Sequence, residues 1–260
     1  MYSASIAIWS AKRVTTDAIW WGAGLGGLGL ILGSFIATVV LRGVAGESAL
    51  RGRSRCDGCG ATLGPVELVP VLSFVVQRGR CRRCDGAIDP SHLWIELLAG
   101  AVGLVAGLAA PGWAGVAGAA FGWLLLMLAA FDLAAFWLPN WGNALLAVAG
   151  LASGVAGLDP RLTDRLIGGA AGFALLWSVA AVYQRLRGRV GLGGGDPKLF
   201  GAIGLWLGWR ALPMVLLAAC LIGLAVALVM RLRGRDVTAT TRLPLGTLLA
   251  VAGFGVWVMG

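Results

Sequence analysis

Two aspartates of this chain adjoin long apolar stretches, where carboxylates are uncommon. Asp132 lies in LLLMLAAFDLAAFWLPN, and Asp196 lies in GLGGGDPKLFGAIGLW. A carboxylate at a membrane edge is costly to desolvate, so such a residue usually has a function and a partner. Each aspartate is the obvious candidate partner of the other. Two carboxyl groups that share one proton are suited to acid–base work on a bond.

Other catalytic groups are scarce in the sequence. The chain has one histidine, His92, which excludes a zinc hydrolase of the HExxH type, and no GxSxG motif occurs. The run GLGGGDPK lacks the GK[ST] ending of a phosphate-binding loop and does not complete the GxGxxG pattern of a dinucleotide site. Carboxylate chemistry remains: an ionised carboxylate activates water, and a protonated one polarises the scissile carbonyl and protonates the leaving amine. The sequence therefore predicts peptide hydrolysis at a membrane edge.

Asp196 also has a structural interpretation. Asp followed by Pro197 is a typical helix start, with the aspartate as N-cap and the proline at the first helical position. Lys198 is an alternative ion-pair partner for Asp196. The three glycines before Asp196 would let a substrate strand come close, but they also suit a simple flexible approach to the helix. The candidate substrate and active-site loop residues are Gly193, Gly194, Gly195, Lys198, Pro139 and Asn140.

The helix that carries Asp132 is apolar on both sides of this residue. We expect the helix to end near Pro139, because a proline disfavours helical conformation in the residue before it. Asp132 would then lie about two turns inside the helix end. The alternative interpretation is an acid that reaches the membrane interface and pairs with a nearby arginine.

Two CxxC motifs occur in the polar segment 43–92, the only plausible extramembrane module, and 21 residues separate them. Two such motifs supply four thiolates for a closed, structural, tetrahedral Zn²⁺ site, with iron as a substitute metal. Two disulfides, or four unrelated thiols, are the alternatives. A glycine follows each motif closely (Gly60, Gly86), which suits tight turns. The candidate metal ligands are Cys56, Cys59, Cys81 and Cys84.

The composition places these motifs on a membrane protein. Of the 260 residues, 58% are hydrophobic and only 13% are charged, whereas a soluble domain has about a quarter charged residues. The sequence predicts about eight spans, an all-α polytopic bundle. The first runs from Ala18 to Leu41, and the others cover roughly 93–110, 113–131, 141–157, 166–184, 199–209, 212–230 and 243–259. The predicted division is 1–42 (first transmembrane helix), 43–92 (tetracysteine zinc-binding module) and 93–260 (protease core).

The arginines and lysines indicate the topology. Sixteen of the 21 fall in 42–92, 185–198 and 231–242, which share one side if eight spans alternate from an outside N-terminus. That side is the cytoplasm by the positive-inside rule, although Lys12 and Arg13 argue locally for the opposite orientation. Both aspartates then reach the cytoplasmic face. The net charge of +9 reflects this topology, so we expect no nucleic-acid binding.

Several motifs in a specific order resemble the type IV prepilin peptidases, membrane aspartic proteases of the GxGD type. The resemblance covers about residues 30–255. Its motifs are GSF (33–35), the CxxC pairs, ELVPVLSFVVQRGRC (67–81), IELL (95–98), FDLAAFWLPN (131–140), GLGGGDPKLFGAIGLWLGW (191–209) and RLPLGTLLAVAGF (242–254). Each motif is modest evidence alone, but their shared order and spacing are specific.

The resemblance implies both activity and partners. The family's catalytic pair matches Asp132 and Asp196. Its fold is a polytopic helical bundle in the bacterial inner membrane, and its tetracysteine loop is cytoplasmic. It cuts the basic leader of type IV prepilins or type II secretion pseudopilins at the cytoplasmic face. Many members then methylate the new N-terminal residue with S-adenosylmethionine, so that cofactor is expected if methyl transfer is retained.

The sequence departs from the family pattern in three places. Asn140 stands where many members have an aspartate, Ala37-Thr38 replaces Asn-Val, and Leu41-Arg42-Gly43 replaces a Tyr-Arg-Leu-Pro motif. The last two departures concern methyl transfer more than proteolysis. The alternatives from other classes are a transporter or assembly factor that uses the aspartates as an ion relay, and a methyltransferase without protease activity.

Overall fold

The chain folds into apolar helices. Segments with glycine, proline and charged residues separate one helix from the next. The computed structural model describes residues 15–48, 54–56, 58–236, 238 and 241–260. Residues 1–14, with Lys12, Arg13 and the start of the predicted first domain, lie outside the described residues. The described α-helices are α1 (Thr16–Val44), α2 (Leu72–Val76), α3 (Pro90–Ala109), α4 (Trp113–Ala135), α5 (Asn140–Val155), α6 (Leu162–Arg187), α7 (Asp196–Leu207), α8 (Leu212–Leu232) and α9 (Leu245–Met259).

The all-helical membrane architecture is confirmed, but the count of eight spans is not. Each predicted span contains a helix, and the described residues contain no β-strand. Five helical segments are long and apolar enough to cross a membrane: α1, α3, α4, α6 and a segment that joins the 3₁₀ turn Trp209–Ala211 to α8. Helices α5 and α7 have 16 and 12 residues. At 1.5 Å per residue they are about 24 and 18 Å long, shorter than a hydrocarbon core of about 30 Å.

Helices α1 and α3 form the closest helix pair. They run antiparallel, because Gly107 lies against Gly22 at one end and Gly33 lies against Glu96 at the other. A Cβ on Gly33 would lie 2.7 Å from Glu96 Cα, a distance that real side chains do not adopt. Small residues let membrane helices approach closely, and Gly22, Gly29 and Gly33 of α1 serve this purpose.

A second glycine-based contact fixes α7. Helices α6 and α7 run antiparallel, with Gly168 against Gly204 and Gly172 against Phe200. The indole of Trp206 also donates to the carbonyl of Leu146 in α5 at 2.7 Å. The short helix α7 is therefore held between longer helices, and its N-terminus, which carries Asp196, has a fixed position.

A buried arginine joins α5, α6 and α7 at the end far from Asp196. Arg165 is 2% exposed, and its guanidinium donates to the carbonyls of Gly150, Leu158, Asp159, Pro160 and Leu205 and to the hydroxyl of Ser153. These carbonyls belong to helix ends and the loop 156–161, where backbone acceptors lack helical partners. One side chain thus ties three helices together.

Candidate active site and cysteine cluster

Asp132 lies in the last turn of α4, not two turns from its end as predicted. The helix ends at Ala135, because Phe136 adopts a left-handed conformation (φ 49°) and the following residues extend towards Pro139. The aspartate is 5% exposed. Its Oδ2 accepts hydrogen bonds from the backbone N–H (2.7 Å) and the hydroxyl (3.1 Å) of Thr247, and the carbonyl oxygen of Ala129, also 3.1 Å from this hydroxyl, competes for its one proton. The predicted position of this helix end was therefore wrong by about one turn.

Thr247 belongs to the first turn of α9, 115 residues away in the chain. The residue before α9 is Pro244, which offers no side-chain acceptor to the free N–H groups of that turn. Asp132 supplies this acceptor from another helix. The carboxylate also benefits from the positive end of the α9 dipole. Sequence reasoning missed Thr247; its only signal was a threonine at the start of an apolar helix.

Asp196 is the first residue of α7 and is not its N-cap. Gly195 occupies the cap position, and Asp196 Oδ2 accepts a hydrogen bond from the backbone N–H of Gly193 at 3.0 Å. An N-cap side chain would instead accept from an N–H two or three residues ahead. The structural interpretation of Asp196 as a cap is therefore wrong. The residue is 8% exposed, so its carboxylate is buried without serving its own helix.

The structure brings the two aspartates together around Leu138. A Cβ placed on Gly195 would lie 2.7 Å from Leu138 Cβ, and one on Gly246 would lie 3.0 Å from both Leu138 Cδ1 and Asp132 Oδ2. The carboxyl groups of Asp132 and Asp196 lie near enough for each to feel the other's charge. The end of α4, the start of α7 and the start of α9 thus converge on one small region.

Lys198 and Asn140 pair with each other beside this region. Lys198 Nζ donates to Asn140 Oδ1 at 2.7 Å. The alternative ion pair between Lys198 and Asp196 does not occur among the described residues. Pro139 precedes α5 as its cap residue. Gly193 supplies an N–H to Asp196, Gly195 contacts Leu138, and Gly194 has open space around its Cα.

The four sulfurs of the CxxC motifs form a cluster. The Sγ atoms of Cys56, Cys59, Cys81 and Cys84 all lie within 4.8 Å of one another, and Cys56 Sγ is 3.8 Å from Cys84 Sγ. Four sulfurs at about 2.3 Å from a zinc ion in a tetrahedron would be about 3.8 Å apart, so the donor set fits this metal. All four cysteines are free, which excludes the two-disulfide alternative in this structure.

The two cysteine motifs have the same backbone hydrogen bonds. Cys56 N–H donates to the carbonyl of Ala61 and Cys81 N–H to that of Gly86, both at 2.9 Å. The residue after each motif is left-handed: Gly60 (φ 68°) in the first, but Asp85 (φ 54°) rather than Gly86 in the second. Gly86 still closes the second turn with its carbonyl, but it is not the residue that needs the left-handed conformation. The backbone N–H of Arg83 donates to Cys81 Sγ and lowers the pKa of this thiol to about 7, which favours the thiolate that metals bind.

A cavity of about 690 Å³ lies between the cysteine module, α1 and α3. It extends from Cys56 and Cys81 down to Ser34 and Thr38 of α1. Its acidic lining consists of Glu47, Glu67, Asp89 and Glu96. Asp89 caps α3, since the N–H of Ser91 donates to it at 2.8 Å, and this bond lowers the pKa of the Asp89 carboxyl. His92 also lines the cavity. Sequence reasoning did not predict this cavity.

Two family models match the chain. Residues 28–110 match the bacterial peptidase A24 N-terminal domain, and residues 119–228 match the type IV leader peptidase family. The first range contains the cysteine cluster and the cavity, and the second contains Asp132 and Asp196. No solved structure matches the chain at a significant level.

Curated relatives named prepilin leader peptidase/N-methyltransferase match over most of the chain. One from Burkholderia pseudomallei is 42% identical over 80% of this chain and 67% of its own length. One from Aeromonas hydrophila is 37% identical over 78% of this chain and 70% of its own length. One from Pectobacterium carotovorum is 32% identical over 93% of this chain and 94% of its own length. The chain belongs to the type IV leader peptidase family.

Proposed function

We propose that this protein is a membrane aspartic peptidase that removes the leader of type IV prepilins or type II secretion pseudopilins. The observation that carries the proposal is the meeting of Asp132 and Asp196, which lie 64 residues apart in the sequence. The family membership and the names of the relatives support prepilin processing. The catalytic roles of the two aspartates rest on their geometry and on the resemblance.

The aspartate pair performs hydrolysis with water as the nucleophile. Two carboxyl groups that share a buried site can hold one proton between them. The ionised carboxylate takes a proton from water as the water oxygen attacks the scissile carbonyl carbon, and the protonated one donates to the carbonyl oxygen. The C–N bond then breaks, and the leaving amine receives a proton from the pair. This chemistry needs no covalent intermediate.

The loop residues beside the pair shape the substrate site. Gly194 faces open space and leaves room for an extended substrate backbone next to Asp196, whereas Gly193 and Gly195 lie against Asp196 and Leu138. The pair formed by Lys198 and Asn140, with Pro139 at the start of α5, borders this approach. The substrate presents an apolar helix to the membrane helices and keeps its basic leader in the cytosol.

The protein resides in the bacterial inner membrane with its aspartates and cysteine module on the cytoplasmic side. Three contacts support this orientation. Gly43 at the end of α1 lies against Phe131, Gly195 lies against Leu138, and Gly246 lies against Asp132. The basic segments 42–92, 185–198 and 231–242 adjoin these contacts, so most of the positive charge gathers at the aspartate end.

The cysteine cluster holds a structural Zn²⁺ through Cys56, Cys59, Cys81 and Cys84. The fit of four sulfurs to a tetrahedral ion supports this assignment. A segment of about 50 residues buries little apolar surface, so a metal would supply much of its stability. All four coordination positions are taken by sulfur, and the metal therefore has no part in hydrolysis.

The acidic cavity is the candidate site for S-adenosylmethionine. A cavity of about 690 Å³ has the size of small-molecule sites, which measure roughly 300–1,000 Å³. The carboxylates of Glu67, Asp89 and Glu96 would hold the positively charged groups of this cofactor, which supplies a methyl group when bound, whereas Glu47 pairs with Arg55 in the same lining. Methylation of the new N-terminal residue would then follow cleavage. Mass spectrometry of the product's N-terminus checks this.

The domain division follows from these sites. The proposed division is 1–42, which contains most of the first transmembrane helix (α1, from Thr16), 43–92 for the zinc module and 93–260 for the protease core. The close packing of α1 on α3 attaches the first helix to the core.

The decisive experiment is leader cleavage by Asp132→Asn and Asp196→Asn. Asparagine keeps the shape and the hydrogen-bond acceptor but cannot take up a proton. Loss of acid–base catalysis costs about 10²–10⁴ in rate, so each variant should leave a co-expressed pseudopilin unprocessed on a gel. Both variants should still insert and elute as folded protein. Processing at the wild-type rate in either variant would favour the ion-relay alternative over the peptidase.

A further inference from the structure

A segment between α1 and α3 has its polarity inverted. Residues 65–77, here called the wall segment, comprise a 3₁₀ turn at Pro65–Leu68 and helix α2. Its large apolar side chains point outward: Val66, Leu72, Val75 and Val76 are 59–67% exposed. Its polar side chains face the cavity, which the segment lines with Glu67, Ser73 and Gln77, beside Leu68 and Phe74.

This arrangement is the reverse of that expected for a module surrounded by water. A soluble surface loop would turn its glutamate, serine and glutamine outward and bury its valines and leucines. A contiguous exposed apolar surface indicates contact with another apolar phase. The outward apolar side chains are therefore expected to contact an apolar environment and not water.

The level of the wall segment along α3 identifies that partner. The N–H of Val71 donates to Oε2 of the buried Glu96 at 2.7 Å. Glu96 is the seventh residue of α3, about 9 Å along the helix from Pro90. Trp94, in the same part of this candidate span, is largely exposed, as expected of a tryptophan at a membrane interface. The wall segment thus lies beside the first two turns of a membrane helix.

Two further features suit a membrane interface. Val71 has a positive φ (61°) and forms a tight turn in which Leu72 N–H donates to the carbonyl of Pro70 at 2.6 Å. Such a conformation is strained for a β-branched residue, and Glu96 holds it in place. Exposed arginines then follow in the sequence: Arg78 two residues after Val76, and Arg82 and Arg83 within the second CxxC motif. Cationic side chains near an apolar surface bind lipid phosphates.

We infer that the wall segment lies in the membrane interface, with its valines and leucines against lipid acyl chains and the arginines towards the headgroups. Its polar face separates the acidic cavity from the lipid. The cysteine module is thus seated on the bilayer instead of standing free in water. The cavity then lies at the membrane surface, within reach of a helix that does not leave the bilayer.

Photocrosslinking to lipid tests this inference. The full-length protein would carry p-benzoylphenylalanine at Leu72 or Val75 and be reconstituted in nanodiscs of phosphatidylethanolamine and phosphatidylglycerol. The matched control is the same residue at Thr62, an exposed polar position of the cysteine module. We expect lipid adducts in mass spectra at Leu72 and Val75 to exceed those at Thr62 several-fold. At the two test positions an apolar residue replaces an apolar residue. The metal content of each purified variant verifies that it is folded.

A charge substitution gives an independent measurement. Val75→Asp should lower the unfolding temperature in nanodiscs, because the carboxylate would enter an apolar environment, whereas Thr62→Asp should leave it unchanged. Adducts at Leu72 and Val75 no more abundant than at Thr62 would overturn the inference. Adducts that join these positions to a second copy of the chain or to a pilin would overturn it as well. These readouts do not depend on peptidase activity, so they separate this inference from the proposed function.

Discussion

The two aspartates are supported by different partners, although both are buried at helix ends. Asp132 accepts two hydrogen bonds from one residue of α9, whereas Asp196 accepts one from a glycine three residues earlier. Hydrogen bonds between a carboxylate and neutral donors orient the side chain without cancelling its charge. Neither carboxylate forms an ion pair in the described part of the chain. Both therefore remain available to a water and a substrate.

Thr247 is the residue on which the orientation of Asp132 most depends. Thr247→Val removes the hydroxyl donor to Asp132 Oδ2 and keeps the backbone N–H. A hydrogen bond to a charged group contributes about 1.5 kcal/mol or more, so leader cleavage should slow by roughly tenfold. Initial rates on a purified pseudopilin measure this. Thr247→Ser restores the hydroxyl and should restore the rate; equal rates for the valine and serine variants would show that the hydroxyl contributes nothing.

The element that positions the site is the short helix α7. It has 12 residues, and its glycines let α6 approach along its length. Its first residue, Asp196, is buried, so the helix begins among its neighbours. Its first turn can then bring Asp196 to the end of α4, and Leu138 fills the space between them. The position of α7 along its axis thus sets the geometry of the pair.

Adjacent glycines before α7 provide a matched test of this contact. Gly195→Ala would place a Cβ 2.7 Å from Leu138 Cβ, whereas a Cβ on Gly194 would have no heavy atom within 4 Å. Neither glycine has a positive φ, so alanine is tolerated by the backbone at both. A displacement of about 1 Å can cost about a hundredfold in rate, and we expect a loss of that order for Gly195→Ala alone. Equal cleavage rates for the two variants would mean that Leu138 does not fix the start of α7.

On the scale of the whole molecule, hydrolysis and metal binding occupy separate parts of the chain. The aspartates lie where α4, α7 and α9 meet, and the cysteine cluster lies on the segment between α1 and α3. The two parts are joined by the packing of α1 on α3 and by the contact of Gly43 with Phe131. We therefore expect loss of the metal to destabilise the cysteine module more than it impairs hydrolysis at the aspartates.

Removal of one ligand tests this separation. Cys84→Ser should abolish the bound zinc and make the module more sensitive to proteolysis, because a small segment without its metal has little core. Leader cleavage should keep most of its rate. Cys220→Ser, in α8 and outside the cluster, is the control and should leave the metal content unchanged. If gently purified wild-type protein contained neither zinc nor iron, the assignment of the cluster as a metal site would be wrong.

Local composition was enough to predict the helices and the chemically active side chains. Apolar runs bounded by charges predicted where helices form, and the chemistry of aspartate and cysteine predicted which side chains to examine. The tertiary structure decided the features that depend on distant contacts. It gave Asp132 a partner 115 residues away, ended α4 one turn early, and made Asp85 the left-handed residue of its turn. It also turned the apolar side of residues 65–77 outward. Helix formation follows from local hydrogen bonds and hydropathy, whereas these features arise from packing between segments that no local pattern encodes.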